Sequence, residues 1–146
     1  MSEVVKKWRD IILEGNIRKL NVEEIYEIPL GNPYFKDRKV EIKVRLEGPT
    51  YVNKHYKEVF LKEANITYDL PFSLRLDEVE RIKKSLEKAF YQFQEKNNLL
   101  PPDRVEVYLS EVVISYSTKN TPYSEARPMR EIILALGTVE TVLKEL

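Results

Sequence analysis

Apolar residues recur at helical spacing in three stretches of the chain and alternate with polar residues between them. At the start, Val4, Val5, Trp8, Ile11 and Ile12 share one side of a helix running to about Glu14. Ser2 is placed to cap it and Gly15 to stop it. Trp8 fits a core anchor better than a ligand platform. Asp77 opens a second helix, with Glu80 three residues later in a capping-box pattern. Val79, Ile82, Leu86, Ala89, Phe90 and Phe93 keep its period, and Asn97-Asn98 with Pro101-Pro102 end it.

Between these helices lie strands. Glu24 to Leu30 is one, closing near Pro29 before a Gly31-Asn32-Pro33 turn. Lys39 to Glu47 is the cleanest: Val40, Ile42, Val44 and Leu46 face one way, and Lys39, Glu41, Lys43, Arg45 and Glu47 the other. Such alternation marks a sheet dry on one side and wet on the other. Gly48-Pro49 breaks it, and Tyr56 to Leu70 supplies a third, bent or bulged strand. Arg104 to Ser117 forms a long fourth strand. Its apolar phase switches from Val105, Val107 and Leu109 to Val112, Ile114 and Tyr116, which predicts a bulge near Ser110-Glu111. The order α-β-β-β-α-β-α predicts an α+β fold, an antiparallel four-stranded sheet with helices packed on one face.

The last helix, Pro128 to Leu146, has the most regular pattern. Met129, Ile132, Leu136, Val139, Leu143 and Leu146 are separated by 3, 4, 3, 4 and 3 residues, the a/d spacing of a coiled coil. Ile133, Leu134 and Val142 widen the stripe beyond one packing partner. With no following segment to cover that girth, the pattern predicts a zipper-like seam between two copies of the chain, against the alternative of a core helix. The organisation expected is a binding domain over 1–127 and a dimerisation helix over 128–146.

Composition narrows the chemistry. The 146 residues suit one ordinary domain with a real core. Charged residues make up 33%, rich in Lys and Glu, a bias common in proteins from hot environments. Cysteine is absent, which removes disulfides, thiolate catalysis and zinc-thiolate sites. A polar start without a signal-peptide pattern, and no apolar run near the ~20 residues of a membrane span, lead to the expectation of a cytoplasmic protein with no membrane partner.

The net charge is zero, unlike that of a general duplex-DNA binder. From Tyr34 to Lys57, however, seven basic residues stand against three acidic ones, a local excess of four. Aromatics interleave with them in Tyr34-Phe35-Lys36 and in Tyr51-Val52-Asn53-Lys54-His55-Tyr56-Lys57. Single-stranded nucleic acid is bound by stacking bases on aromatic rings while Lys and Arg track phosphates. Tyr34, Phe35, Tyr51 and Tyr56 are therefore the expected stacking residues. Lys36, Arg38, Lys43, Arg45, Lys54 and Lys57 are the expected phosphate contacts, with His55 beside them. If the strands share one face, the Ser117-to-Tyr123 loop extends it.

Enzyme chemistry finds little material. His55 is the only histidine, so multi-histidine metal sites are impossible. No nucleophile elbow or phosphate-cradling glycine motif is present. Glu41-Ile42-Lys43 on a strand is the E-x-K half of a magnesium nuclease site, but Asp37 lies too near for the usual arrangement. The expectation is a non-catalytic chain without a cofactor, with single-stranded DNA or RNA and a second copy of itself as partners. An assembly subunit acting through the helix seam without nucleic-acid affinity is the alternative, ahead of a metal-dependent nuclease.

The 129–146 heptads, the Lys39-to-Glu47 strand and the two aromatic-basic clusters together resemble the ThermoDBP family of archaeal single-stranded DNA-binding proteins and their relatives. The resemblance implies an antiparallel-sheet nucleic-acid-binding domain, a C-terminal leucine-zipper dimerisation helix and a cleft lined by aromatic and basic side chains. It is one of architecture over most of the chain. No motif matches residue by residue, so no family site residue is carried over. The zero net charge and the short zipper depart from the family pattern.

Overall fold

The strict alternation from Val40 to Leu46 produces a strand whose apolar side chains are closed to solvent while their charged neighbours are open. That strand, β2 (Lys39–Gly48), sits second in the main sheet of the computed structural model, which describes residues 3–15, 20–30, 38–97, 100–117 and 127–145. The expected Ser2 cap, the Gly31-Asn32-Pro33 turn, Asn98, most of the 118–127 loop and Leu146 lie outside the described residues, as do the side chains of Val4 and Phe93.

The chain is α+β and its sheets are antiparallel. α1 (Glu3–Leu13) precedes β1 (Leu20–Pro29) and β2. Then come β3 (Tyr51–Asn53), β4 (Glu58–Leu61), β5 (Glu63–Asp69), α2 (Leu76–Asn97), β6 (Arg104–Val107), β7 (Glu111–Tyr116), β8 (Arg127–Pro128) and α3 (Met129–Lys144). Five strands form the main sheet in the order β1-β2-β5-β7-β6, and a small sheet follows β3-β4-β8. The expected four-stranded sheet thus gains a fifth strand from one correction, and a second correction accounts for β4 in the small sheet.

The long strand from Arg104 is a hairpin, not one bulged strand. Val107 pairs with Val112, and Tyr108 N–H donates to Glu111 O at 2.7 Å to close the turn. The phase switch records the chain reversing. The expected Tyr56-to-Leu70 strand likewise breaks at Lys62 into β4 and β5, and β4 takes β3 as its partner. β3 and β4 therefore carry the chain on from β2 and back to β5 as a bent two-stranded ribbon. Gly48 forms the corner with φ +145, and a β-carbon there would stand 3.1 Å from Leu61 Cδ2 and 3.2 Å from Leu61 Cα. Only glycine fits both the dihedral and the space.

Helix ends follow local chemistry. Gly15 stops α1 as expected, with φ +80 and its N–H on Ile12 O. α2 begins one residue before the expected Asp77. Its reciprocal cap is Glu78 Oε1 on the Arg75 N–H at 3.0 Å, rather than the Asp77/Glu80 pair. Pro128 is the N-cap of α3 and not its first helical residue.

One core joins all of this. The inner sheet face (Val40, Ile42, Ile66, Tyr68, Val112, Ile114) meets Val5 and Ile12 of α1, Ile82, Leu86 and Phe90 of α2, and Met129 to Leu143 of α3. Trp8 is half-buried there, its Nε1 donating to Glu24 Oε1 at 2.7 Å, in keeping with an anchor. Met129, Ile132, Leu136, Val139 and Leu143 are all fully buried within the single chain. The seam expected to meet a second copy is covered by α1, α2 and the ribbon, which precede it in sequence. α3 is accordingly part of the 1–127 core, and these residues offer no free surface for a dimer. No helix among the described residues is long and apolar enough to cross a membrane.

Candidate nucleic-acid interface

The outer face of the main sheet is open, and register decides its charge. Outward positions carry eight carboxylates (Glu23, Glu27, Glu41, Glu47, Glu63, Asp69, Glu106, Glu111) against four cations (Lys39, Lys43, Arg45, Arg104). Glu27, Glu41, Asp69 and Glu111 are direct cross-strand neighbours, so a row of carboxylates crosses four strands. The cations are engaged. Lys43 Nζ lies 3.1 Å and Arg45 Nε 3.6 Å from Glu23, and Lys39 Nζ 3.8 Å from Glu27. Arg104 pairs with Glu106, which also accepts from the Tyr108 hydroxyl. Arg104 holds the Glu106 carboxyl below its usual range through that hydrogen bond.

This arrangement separates the residues expected to form one site. Lys43 and Arg45 lie on an acidic face that repels a phosphate chain, and not beside the aromatic cluster. Arg38 is exposed near the start of β2, with Nη1 3.5 Å from Pro71 O. Tyr34, Phe35 and Lys36 lie outside the described residues, as does Asp37. Glu41 and Lys43 sit on β2 as an E-x-K pair, with the lysine turned to Glu23. Among the described residues no group of three or more His, Asp or Glu is arranged to hold a metal ion.

The second cluster remains together. Tyr51, Lys54, His55, Tyr56 and Lys57 occupy one exposed hairpin formed by β3, β4 and the turn between them. The turn is built locally: Asn53 Oδ1 accepts the Tyr56 N–H at 3.2 Å, and Lys57 takes a left-handed φ of 55. Tyr51 rests against Phe60 at 5.5 Å with the rings tilted by 50°, and His55 meets Tyr56 edge-on at 4.8 Å. Tyr51 is 57% and Tyr56 71% exposed, far more than a core role requires. No carboxylate occurs from Tyr51 to Lys57, and the following Glu58 is paired with Arg130 at 3.1 Å. The ribbon packs on the helix side of the main sheet, where β4 meets α1 and α3 and buries Val59 and Leu61.

Four surface grooves differ in their charge. A trough of about 700 Å³ beside the β6–β7 turn is lined by Arg104 and Glu111 together with Tyr108 and Leu109. A small one between β2 and β5 carries Arg45, Glu47 and Glu63, and one between α2 and α3 carries Arg81 and Glu145. The fourth, about 350 Å³, lies between the end of α1 and β3, and among the described residues Lys54 is its only charged lining residue. Sequence reasoning missed this groove, because Ile12 and Gly15 are remote from Lys54 along the chain.

Comparison with protein-family models, curated proteins and solved structures gives no match.

Proposed function

We propose that this chain is a non-catalytic binder of single-stranded nucleic acid that uses the β3–β4 hairpin. One observation carries the reading: two exposed aromatic rings, Tyr51 and Tyr56, share one hairpin with Lys54 and Lys57 and no carboxylate from Tyr51 to Lys57. Rings on such a tip stack unpaired bases and lysines neutralise phosphates, a combination that tolerates sequence variation. The acidic sheet face supports a small footprint, since it disfavours a strand running over it. The homodimeric form and the assembly-subunit alternative both relied on the α3 seam, which is buried, so neither is carried into this reading.

Fluorescence anisotropy of labelled single-stranded DNA and RNA at two salt concentrations tests it. Affinity should fall with salt and should drop in Tyr56→Ala and in Lys57→Glu. Lys43→Gln combined with Arg45→Gln should leave affinity unchanged, because Glu23 already engages both cations. Absence of binding to both nucleic acids would overturn the proposal.

A further inference from the structure

Among the described residues, the groove between the end of α1 and β3 differs from the other three in being lined by a cation and no carboxylate. Its lining grades from buried Ile12 through half-buried Pro49 and Val52 to exposed Tyr51 and Lys54. A recess where Ile12, Pro49 and Val52 stand beside the polar Thr50 and Tyr51, with one lysine among them, suits a ligand with a flat body, polar edges and a single anionic group. The volume of about 350 Å³ lies at the low end of small-ligand sites, which run from ~300 to 1,000 Å³. It accommodates one nucleoside unit rather than a stack.

We propose that this groove is the pocket for one unpaired nucleobase, with Lys54 holding the adjoining phosphate. The proposal rests on the reading of the hairpin as a single-strand binder and adds a defined subsite to it. A paired base has both faces and its pairing edge covered, so a duplex cannot deliver one here without unstacking it. The subsite thereby makes single-strandedness a requirement.

Gly15 sets the width of the pocket. It takes a left-handed φ of +80, and a β-carbon there would stand 3.4 Å from Lys54 Nζ. Asn and Asp tolerate this left-handed backbone better than other side chains. Gly15→Asp and Gly15→Asn therefore add the same bulk, and only the first brings a carboxylate to Lys54.

Anisotropy titration of a labelled thymidine octanucleotide compares the two variants with the parent. Gly15→Asp should bind roughly tenfold more weakly than Gly15→Asn, with the salt slope reduced by about one ion. In two-dimensional amide NMR spectra of the parent protein, thymidine 5′-monophosphate should shift Ile12, Gly15, Val52 and Lys54, and inorganic phosphate should not reproduce the pattern. Equal affinity of the two variants, or identical shifts from inorganic phosphate, overturns the base pocket. If Tyr56→Ala still weakens binding in that case, the hairpin reading stands without the pocket. If the parent protein binds no oligonucleotide, the hairpin reading falls and the pocket with it.

Discussion

Arg127 Nε donates to Glu131 Oε1 at 3.0 Å, and both side chains are closed to solvent one turn apart at the start of α3. The same guanidinium reaches Asp103 Oδ2 at 3.0 Å and the carbonyls of Leu100 and Pro101, and its carbon lies 4.7 Å from the Tyr116 ring centroid. Glu131 Oε2 in turn accepts the Leu100 N–H at 2.6 Å. The approach to β6 is thus tied to α3 by ionic and polar groups inside the core.

Arg127→Met should be strongly destabilising, because it leaves the Glu131 carboxylate buried without its cation. Removing one partner of a buried pair costs about 3–5 kcal/mol, whereas replacing both by apolar groups is far cheaper. In urea unfolding, Arg127→Met with Glu131→Leu should therefore be more stable than Arg127→Met alone. A double variant less stable than the single one would show that the Leu100 N–H needs its carboxylate acceptor more than the pair needs its charges.

Glu140 on α3 faces the Tyr26 hydroxyl of β1 at 3.5 Å and is almost wholly buried. Burial raises its carboxyl above the ordinary value of 4.5, with Lys144 and the Tyr26 hydrogen bond opposing. A carboxyl that holds its proton more tightly in the folded chain contributes stability that is complete below the unfolded value and declines as pH rises through the folded one. Glu140→Gln removes that decline while keeping an acceptor for Tyr26. Thermal melts should show the variant more stable than the parent at pH 7 and indistinguishable from it at pH 4. Glu131 is raised by burial in the same direction, so the variant keeps part of the slope.

Gly48→Ala should loosen the hairpin that carries Tyr51 and Tyr56. The new β-carbon meets Leu61 backbone and side chain at 3.1–3.2 Å, and its backbone sits in a region that L residues rarely adopt. Strain of this kind costs roughly 1–3 kcal/mol. The loss should appear both in urea unfolding and as faster amide exchange in β3 and β4. Unchanged exchange there would mean that the corner shifts without disturbing the ribbon.

The main elements were legible where a local pattern has a single cause. β2 alternates because one face is dry, and α1 stops at Gly15 because only glycine takes φ +80 readily. The β6–β7 hairpin was misread because a turn and a bulge both reverse the apolar phase, and Tyr108-Leu109-Ser110 holds no glycine or proline to mark a turn. The aromatic-basic hairpin was visible as composition, but its separation from Lys43 and Arg45 depends on register. Glu23 opposes Arg45 only once β1 and β2 are aligned, and no local sequence feature states that pairing. The groove at Gly15 is likewise a tertiary product of α1 and β3.

α3 shows most directly how a heptad can mislead. Its stripe is broad because α1, α2, the main sheet and the small sheet all close on it, so the girth that implied a second copy is used inside one chain. Leu136 and Leu134 separate the two accounts. Leu136 is fully buried, and an aspartate there loses the leucine's packing and buries an unpaired charge, at about 5 kcal/mol or more. That approaches the whole stability of an ordinary domain, ~5–15 kcal/mol. Leu136→Asp should therefore lose its cooperative melt and its near-ultraviolet circular dichroism at every protein concentration. Leu134 is 42% exposed on the opposite side, and Leu134→Asp should fold and melt nearly as the parent does. Sedimentation measured on both variants decides the matter: a folded, monomeric Leu136→Asp obtained from a dimeric parent would restore the zipper, and an unfolded one places the seam in the core.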